Sequence, residues 1–427
     1  MSAGLVTLVL VMLGLLAFRV PVAFALALAC VTYLVFVSDL PLEIVIQRMV
    51  AGADSFPLLA IPLFLLAGNL MNAGGMTRRM VDFAMAWVGR FRGGLAQVNV
   101  GSSILMSGVS GAAVADASAL GSIMIPAMRK AGYDRHFSAA VTASSAVVGP
   151  MVPPSIPMII YAATAGLSVG GMFLAGAVPG IVLGVALVIT TYLLARRNDF
   201  PVIPGFSWRK IVESSGAAFI ALVMPGIIVG GIITGAFTPT ESAAIAVVYA
   251  FVCGKFIFRE LKWSGLPRLL MDTAIGSAVI LIIVATASAF GWMLTIERAP
   301  AQLLRVLDPF LQTPWLLLLI ISLMLLVLGM FMESLAVIVL VTPILLPVTQ
   351  AAGIDPIHFG TFMVLNLMIG TVTPPIGVVM FLVTRIADSD VASFVRANLA
   401  YYVALLTVLV LVVFLPFLST WLPGAFL

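Results

Sequence analysis

The chain has 427 residues, of which 62% are hydrophobic and 9% are charged. Soluble domains carry about 25% charged residues, so this composition excludes an ordinary soluble protein and indicates a polytopic helical membrane protein. The apolar runs are continuous and do not alternate, which excludes a transmembrane β-barrel. The net charge of +4 is scattered over short loops, as topology signals are, so membrane lipid is an expected partner and nucleic acid is not.

Apolar segments of membrane-spanning size occur in two successive sets. The first set covers residues 3–18, 21–37, 55–75, 95–129, 136–166 and 170–195. The second set covers residues 216–236, 239–258, 274–297, 314–350, 357–385 and 398–420. Each set predicts two spans, an interrupted re-entrant segment, two broken spans and a closing span.

The two sets are related by an internal repeat with an offset of 221 residues. Gly108 corresponds to Gly329, Gly149 corresponds to Gly370, and the Pro-Pro pair at 153–154 corresponds to the pair at 374–375. Self-similarity without a gap over this length indicates a duplication. We therefore expect a first repeat over residues 1–210 and a second over 211–427, with scaffold and transport parts interleaved in both.

Basic residues predict that the second repeat is inverted. The loop 129–136 contains several Lys and Arg residues, whereas its counterpart at 350–358 contains none. The loop 164–170 is uncharged, whereas its counterpart contains Arg385. Because Lys and Arg favour cytoplasmic loops, equivalent loops lie on opposite sides. The arginines at 48, 78, 79, 90 and 92 fit this topology poorly, since it places them outside.

Glycine, proline and serine interrupt the repeat near the middle of four apolar runs. The interruptions are SGVSG at 107–111, GPMVPP at 149–154, GMFMES at 329–334 and GTVTPP at 370–375. Irregular backbone in a bilayer must line a cavity or bind something. Freed carbonyls with a hydroxyl make a cation site, and half-helix N-termini favour an anion. A single break is more simply a kink in a packed helix, but four matched breaks favour two cation sites near the midplane.

Four stretches carry a resemblance to a known family: 107–162, beginning SGVSGAAVADASALG, then MFLAGAVPGI at 172–181, GGIITGAFTPTESAAIAVVYAF at 230–251 and NLMIGTVTPPIGVVMF at 366–381. In them the chain resembles the large membrane subunit of tripartite ATP-independent periplasmic (TRAP) transporters. The resemblance implies an all-α inverted-repeat fold with two re-entrant hairpins, discontinuous helices and an elevator mechanism. It further implies sodium-driven import of organic acids, such as dicarboxylates or sialic acids, across the bacterial inner membrane. The implied partners are a small membrane subunit and a periplasmic substrate-binding protein, and neither enzymatic activity nor a cofactor is expected.

The resemblance also assigns residues to two sodium sites. The first would use Ser110, Gly149, Val152 and Pro154, and the second would use Gly329, Gly370, Thr373 and Pro375. Phe331 occupies the position equivalent to Ser110, so the second site cannot use the same hydroxyl. Thr373 or Ser334 would supply one instead.

Polar residues beside the breaks are candidates for contact with substrate or a coupled ion: Ser107, Asp116, Arg298, Glu333 and Ser334. An intramembrane carboxylate such as Glu333 indicates function by default, although a buried ion pair is an equal alternative. Asp116 is more simply a brace for the half-helix that follows. Arg298 suits a carboxylate, but a loop arginine at a cytoplasmic boundary is the simpler interpretation. Thr238 and Glu241 have the spacing of a capping box, which is structural.

Other functions remain as alternatives. A stand-alone sodium–carboxylate symporter of similar architecture would need no binding protein. A channel fits matched midplane breaks less well than alternating access does. An intramembrane enzyme would need a convergent nucleophile and base or a metal set. The chain has two histidines and two cysteines without metal spacing, so neither catalysis nor a transition-metal site is expected.

Overall fold

The computed structural model describes residues 3–198, 200 and 208–426, without the side chains at 109–110 and 209–210, and its regular structure is helical. The first repeat contains α1 (Ala3–Ala17), α2 (Val22–Phe36), α3 (Glu43–Ala53), α4 (Ala60–Ala73), α5 (Met76–Val88), α6 (Gly94–Ser110), α7 (Ala113–Lys130), α8 (Arg135–Ala146), α9 (Ile156–Ala165) and α10 (Val169–Arg197). The second contains α11 (Trp208–Ile233), α12 (Pro239–Val252), α13 (Leu266–Ile296), α14 (Ala299–Leu307), α15 (Pro314–Phe331), α16 (Ser334–Ala351), α17 (Pro356–Thr371), α18 (Val378–Ala387), α19 (Val391–Phe414) and α20 (Phe417–Phe426). Eight helical segments in the described ranges are long and apolar enough to cross a bilayer, so this is a multi-pass membrane protein.

The predicted repeat is visible in the helix bounds. The first and last residues of α7 and α16 are each related by the offset of 221. The last residues of α6 and α15 and the first residues of α8 and α17 are related by the same offset. The caps match as well. Asp134 accepts hydrogen bonds from the first backbone N–H groups of α8, and Asp355 does the same for α17. The duplication in sequence is therefore a duplication in structure, which confirms the predicted inverted-repeat fold.

The helices form two bodies, each drawing on both repeats. The first body contains α1–α5 and α11–α13, the second contains α6–α10 and α15–α20, and α14 packs on both α13 and α16. Between the bodies, α13 packs along α16, while α4, α5 and α11 contact α6. The capping box that starts α12 is present as predicted, because Thr238 and Glu241 exchange side-chain-to-backbone hydrogen bonds. The division of the repeats at residue 210 stays a prediction.

The re-entrant elements are not the ones that the sequence pattern indicated. Helices α6 and α7 pack against each other across the turn at 111–112, and α15 returns as α16, so the runs 95–129 and 314–350, which were predicted as broken spans, are hairpins. By contrast, α8 and α9 do not pack extensively against each other and form one discontinuous span. The predicted interruption in 274–297 is also wrong, since α13 is one helix of 31 residues. Its small residues permit close helix packing without a break.

This correction removes the conflict for the arginines at 78, 79, 90 and 92 and leaves Arg48 at the outer side. With Phe56–Ala73 as a full crossing, the arginines at 78–92 move to the end that carries the loop 129–136, here called the inner end. At that end His136 Nδ1 lies 2.7 Å from Ser389 Oγ, and Arg135 lies 3.5 Å from Asp388. Among the described residues, only three basic ones lie at the opposite, outer end: Arg48, Arg298 and Arg305. Arg298 therefore does not lie at the cytoplasmic boundary, because α13 crosses completely before it.

Candidate functional site

A cavity of about 380 Å³, here called the central cavity, lies where the two bodies meet the hairpin turns. The first hairpin contributes residues 112–115, and the second contributes 333–335. Breaks in the discontinuous spans contribute Pro150, Ile156, Pro157, Met368 and Thr371, and the first body contributes Leu65, Val279, Ile280 and Ile283. Three of the four predicted interruptions therefore line one cavity between the bodies, and the fourth, at 107–111, is followed directly by lining residues.

In the first repeat, the hairpin turn contacts the break of the discontinuous span through backbone. The Ile156 N–H donates to the Gly111 carbonyl oxygen at 3.3 Å. Gly111 has a φ of 58°, and a Cβ there would collide with the Pro154 carbonyl oxygen. Only glycine tolerates both the left-handed conformation and this approach. This contact brings Pro154, a predicted sodium ligand, against Gly111, which directly follows Ser110. The side chain of Ser110 lies outside the described part of the chain.

A buried carboxylate joins this first cluster. Asp116 lies in the first turn of α7 and is 0% exposed. A Cβ on Gly149 would collide with Asp116 Oδ2, so the carboxylate lies directly against this predicted sodium ligand. The Val152 side chain instead packs on Gly180 of α10. A negative group beside freed carbonyls creates a site whose charge a hard cation can balance.

In the second repeat, the equivalent contact is between two glycines. A Cβ on Gly370 would lie 2.7 Å from the Gly329 Cα, so these two predicted ligands touch. The Gly377 N–H donates to the Met330 carbonyl oxygen at 3.1 Å, which parallels the contact of Ile156 with Gly111.

Carbonyl oxygens also converge at the second break. A Cβ on Gly377 would lie 2.7 Å from the Thr373 oxygen and 3.0 Å from the Thr371 oxygen. The Thr373 hydroxyl donates to the Ile369 carbonyl at 2.7 Å, which leaves its oxygen lone pairs free to accept or to coordinate. The peptide bond before Pro375 is cis, as is its counterpart before Pro154. These oxygens are the ligand type that a sodium ion would need.

Of the substrate-linked candidates, Glu333 and Ser334 line the central cavity. Glu333 is also the N-cap of α16, since its Oε2 accepts the Ala336 N–H at 3.2 Å. Ser107 is buried and donates to the Ile104 carbonyl within α6. Arg298 precedes α14 at the outer end, away from the cavity. The structure thus brings two of the five candidates to the cavity, with Asp116 behind it against Gly149.

Sequence reasoning missed a polar seam that holds each hairpin to its discontinuous span. In the first repeat, Ser103 Oγ lies 2.8 Å from Ser145 Oγ. In the second repeat, the Asn366 side-chain amide donates to Ser322 Oγ at 3.0 Å. Ser145 and Asn366 are related by the offset of 221, so the repeat itself carried the signal. Within the described ranges, no cluster of three or more His, Cys, Asp or Glu residues has the geometry of a metal site.

Comparisons with known proteins show the family of the chain. The family model for the DctM component of tripartite ATP-independent periplasmic transporters matches residues 9–418. The chain is 40% identical over 415 residues to the sialic acid TRAP transporter large permease protein SiaM of Vibrio cholerae, with 97% of each chain covered. It is 38% identical over 405 residues to the 2,3-diketo-L-gulonate TRAP transporter large permease protein YiaN of Escherichia coli, with 95% of each covered. These relatives are named as transporter subunits, not as enzymes.

A solved structure shares the fold. The crystal structure of the YdaH transporter of Alcanivorax borkumensis matches with a TM-score of 0.63 at 14% identity. The match covers 89% of this chain and 88% of that one.

Proposed function

Because the chain belongs to the DctM component family of tripartite ATP-independent periplasmic transporters, we propose that it imports organic acids by sodium-coupled alternating access. The substrates for which the two relatives are named, sialic acid and 2,3-diketo-L-gulonate, are sugar acids that carry a carboxylate. A carboxylated substrate taken up across the bacterial inner membrane is therefore the class proposed here. The proposed partners are a small membrane subunit and a periplasmic substrate-binding protein.

One observation carries this proposal: two matched contacts between a hairpin turn and a helix break flank a single cavity between two bodies. Gly111 meets Pro154 on one side, and Gly329 meets Gly370 on the other. Each contact gathers backbone carbonyls at mid-span, where they replace the hydration of a cation. Two bound cations would lower the cost of bringing an anion into the cavity between them.

The two bodies supply the moving parts. Val279, Ile280 and Ile283 of α13 form an apolar wall of the central cavity in the first body. The second body carries both hairpins and both breaks, so it can carry the cavity's contents past that wall as a unit. An apolar wall slides with few hydrogen bonds to break, which suits an elevator movement.

Uptake into proteoliposomes tests the proposal. The chain would be reconstituted with its small subunit and binding protein, and uptake of sialic acid, sugar acids and four-carbon dicarboxylates would be measured with and without an inward sodium gradient. The expected result is uptake that requires both sodium and the binding protein. Sodium-driven uptake without the binding protein would instead establish the stand-alone symporter. Folded protein that moves none of these acids under any gradient would overturn the proposal.

A matched pair of serine variants tests the first sodium site in the same assay. Ser110→Ala is expected to raise the sodium concentration for half-maximal uptake by about tenfold, as loss of one ligand worth roughly 1.4 kcal/mol would. Ser122→Ala is the control, because Ser122 is exposed on α7 and bonds only to the Ala119 carbonyl. Equal sodium dependence in both variants would remove Ser110 from the site.

A further inference from the structure

A second cavity, of about 440 Å³, lies between the two bodies toward the outer end and is here called the outer vestibule. It differs from the central cavity in chemistry, since hydroxyl groups line it. The hydroxyl-bearing residues come from both bodies: Ser55, Ser288 and Thr295 from the first, and Thr164 from the second. Trp292 supplies an aromatic wall.

The two cavities follow one another along the interface between the two bodies. On α13, Ile280 and Ile283 line the central cavity, and Ser288, Trp292 and Thr295 line the outer vestibule. Val284, which lines the outer vestibule, directly follows Ile283, so the two cavities adjoin along α13. The facing helices α9 and α16 also line both cavities, with residues nearer their outer ends lining the vestibule. The lining between the bodies thus changes from hydroxyl-bearing at its outer part to apolar at the centre.

Arg48 places a positive charge beside the outer vestibule, although the topology disfavours basic residues at the outer end. Arg48 is one of three basic residues at the outer end within the described ranges. Its guanidinium carbon lies 4.3 Å from the centre of the Trp292 ring, which holds the charge beside the vestibule wall by a cation–π contact. Because outer loops normally avoid basic residues, a charge held in this position needs a reason of its own.

We propose that the outer vestibule receives the carboxylate of the incoming substrate, with Arg48 as its charged partner, before the central cavity takes it. This inference rests on the proposed function and adds to it an entry site outside the two hairpins. A guanidinium pairs with a carboxylate through two parallel hydrogen bonds, and the hydroxyl of Ser288 can donate one more. The apolar stretch at Ile280 and Ile283 then separates this entry site from the central one.

A charge-selective labelling experiment tests the entry site without requiring transport. Cys30 and Cys253 are both buried and would be replaced by serine, and Ser288→Cys would place a single thiol in the vestibule. The thiol would be labelled with a small organic anion, 2-sulfonatoethyl methanethiosulfonate, and a matched cation, 2-(trimethylammonium)ethyl methanethiosulfonate. The ratio of the two rates reports the local potential, because the thiol's own reactivity cancels.

Arg48→Gln is expected to lower the anion-to-cation ratio by roughly fivefold, since a nearby unit charge acts in opposite directions on the two reagents. Arg48→Lys should keep the ratio. Asp54→Asn, which removes an acid next to the lining residue Ser55, should raise it. Arg268→Gln at the inner end is the control for a change in overall charge and should leave it unchanged.

Two outcomes would overturn the entry site: a ratio that Arg48→Gln does not change, or one that Arg268→Gln lowers as much. Either labelling result can be interpreted whether or not the proteoliposome assay detects uptake. Failure of uptake with the full set of subunits would count against the proposed function alone.

Discussion

In the first repeat, a buried carboxylate lies against the glycine of the helix break, whereas in the second repeat two glycine backbones meet there. Asp116 touches Gly149, but its equivalent by the offset of 221 is Val337. Conversely, Glu333 lines the central cavity, and its equivalent is Ala112. The duplication has kept the backbone contacts, and the charged groups have diverged.

This difference between the repeats separates the contribution of backbone carbonyls from that of a charged side chain. The backbone contacts supply carbonyl oxygens in both repeats, and carbonyl oxygens are ligands of the kind that the proposed cation sites would use. A carboxylate beside the carbonyls adds direct attraction in a medium of low dielectric constant. We therefore expect the first cluster to bind its cation more tightly than the second, and we expect Glu333 to act mainly on the cavity wall.

The largest expected effect tests the shared backbone contact. Gly370→Ala places a Cβ 2.7 Å from the Gly329 backbone, where no side chain can yield. Overpacking costs about 1–3 kcal/mol even where neighbours can move, so uptake should fall more than tenfold and the melting temperature should drop. Gly226→Ala in α11 is the control, because a Cβ there meets no atom within 4 Å. Normal uptake by Gly370→Ala would show that the two glycines do not form a site.

The next effect tests the carboxylate of the first cluster. Asp116→Asn keeps the shape and removes the charge, so the sodium concentration for half-maximal uptake should rise by about tenfold or more. Sodium-dependent uptake at several sodium concentrations measures the change. An unchanged sodium requirement would mean that Asp116 only braces α7.

A smaller effect is expected at the second hairpin. Glu333→Gln retains an oxygen that can accept the Ala336 N–H, so α16 should lose about 1 kcal/mol or less of capping energy. The half-maximal sodium concentration should change by less than about threefold, well below the change in Asp116→Asn. If the two variants raised the sodium requirement equally, the proposed contrast between the clusters would be lost.

The smallest effect concerns a cap that differs between the repeats. Asp390 caps α19, whereas neutral Ser168 caps α10. Hydrogen bonds from the Ser393 N–H and hydroxyl, together with nearby His136, hold the pKa of Asp390 below its usual range. A lowered folded-state pKa stabilises the protein above the unfolded pKa, and this stability is lost as pH falls through the folded pKa. Between about pH 6 and pH 3, the melting temperature should therefore fall slightly more in the wild type than in Asp390→Asn. An equal fall in melting temperature in the two proteins would show that the Asp390 carboxylate makes no such contribution to stability.

Much of the fold could be predicted because a duplication leaves repeated signals. The offset of 221 predicted the paired breaks, and the helix bounds of α7 and α16 reproduce it. The inversion followed from the distribution of Lys and Arg, and the capping box at Thr238 followed from local spacing. These features depend on the local sequence or on comparing the chain with itself.

Features that depend on packing could not be predicted. A glycine-rich break looks the same in sequence whether the next helix turns back, as α7 does, or continues across the membrane, as α9 does. The distinction lies in whether the two arms pack against each other. For the same reason the contact of Asp116 with Gly149 had no signal, because it joins the hairpin to a different span. The amphipathic helix α14 was also missed, since it is not a continuous apolar run.

Sodium binding to the purified chain tests the central claim most directly. The melting temperature would be followed while sodium chloride replaces choline chloride at constant ionic strength, for the wild type, Asp116→Asn and the Gly226→Ala control. A ligand that binds only the folded state adds about 2.7 kcal/mol of stability at a hundred times its dissociation constant. The account predicts that sodium raises the melting temperature of the wild type and the control, and that Asp116→Asn needs more sodium for the same rise. A melting temperature that does not respond to sodium in folded wild-type protein would contradict it.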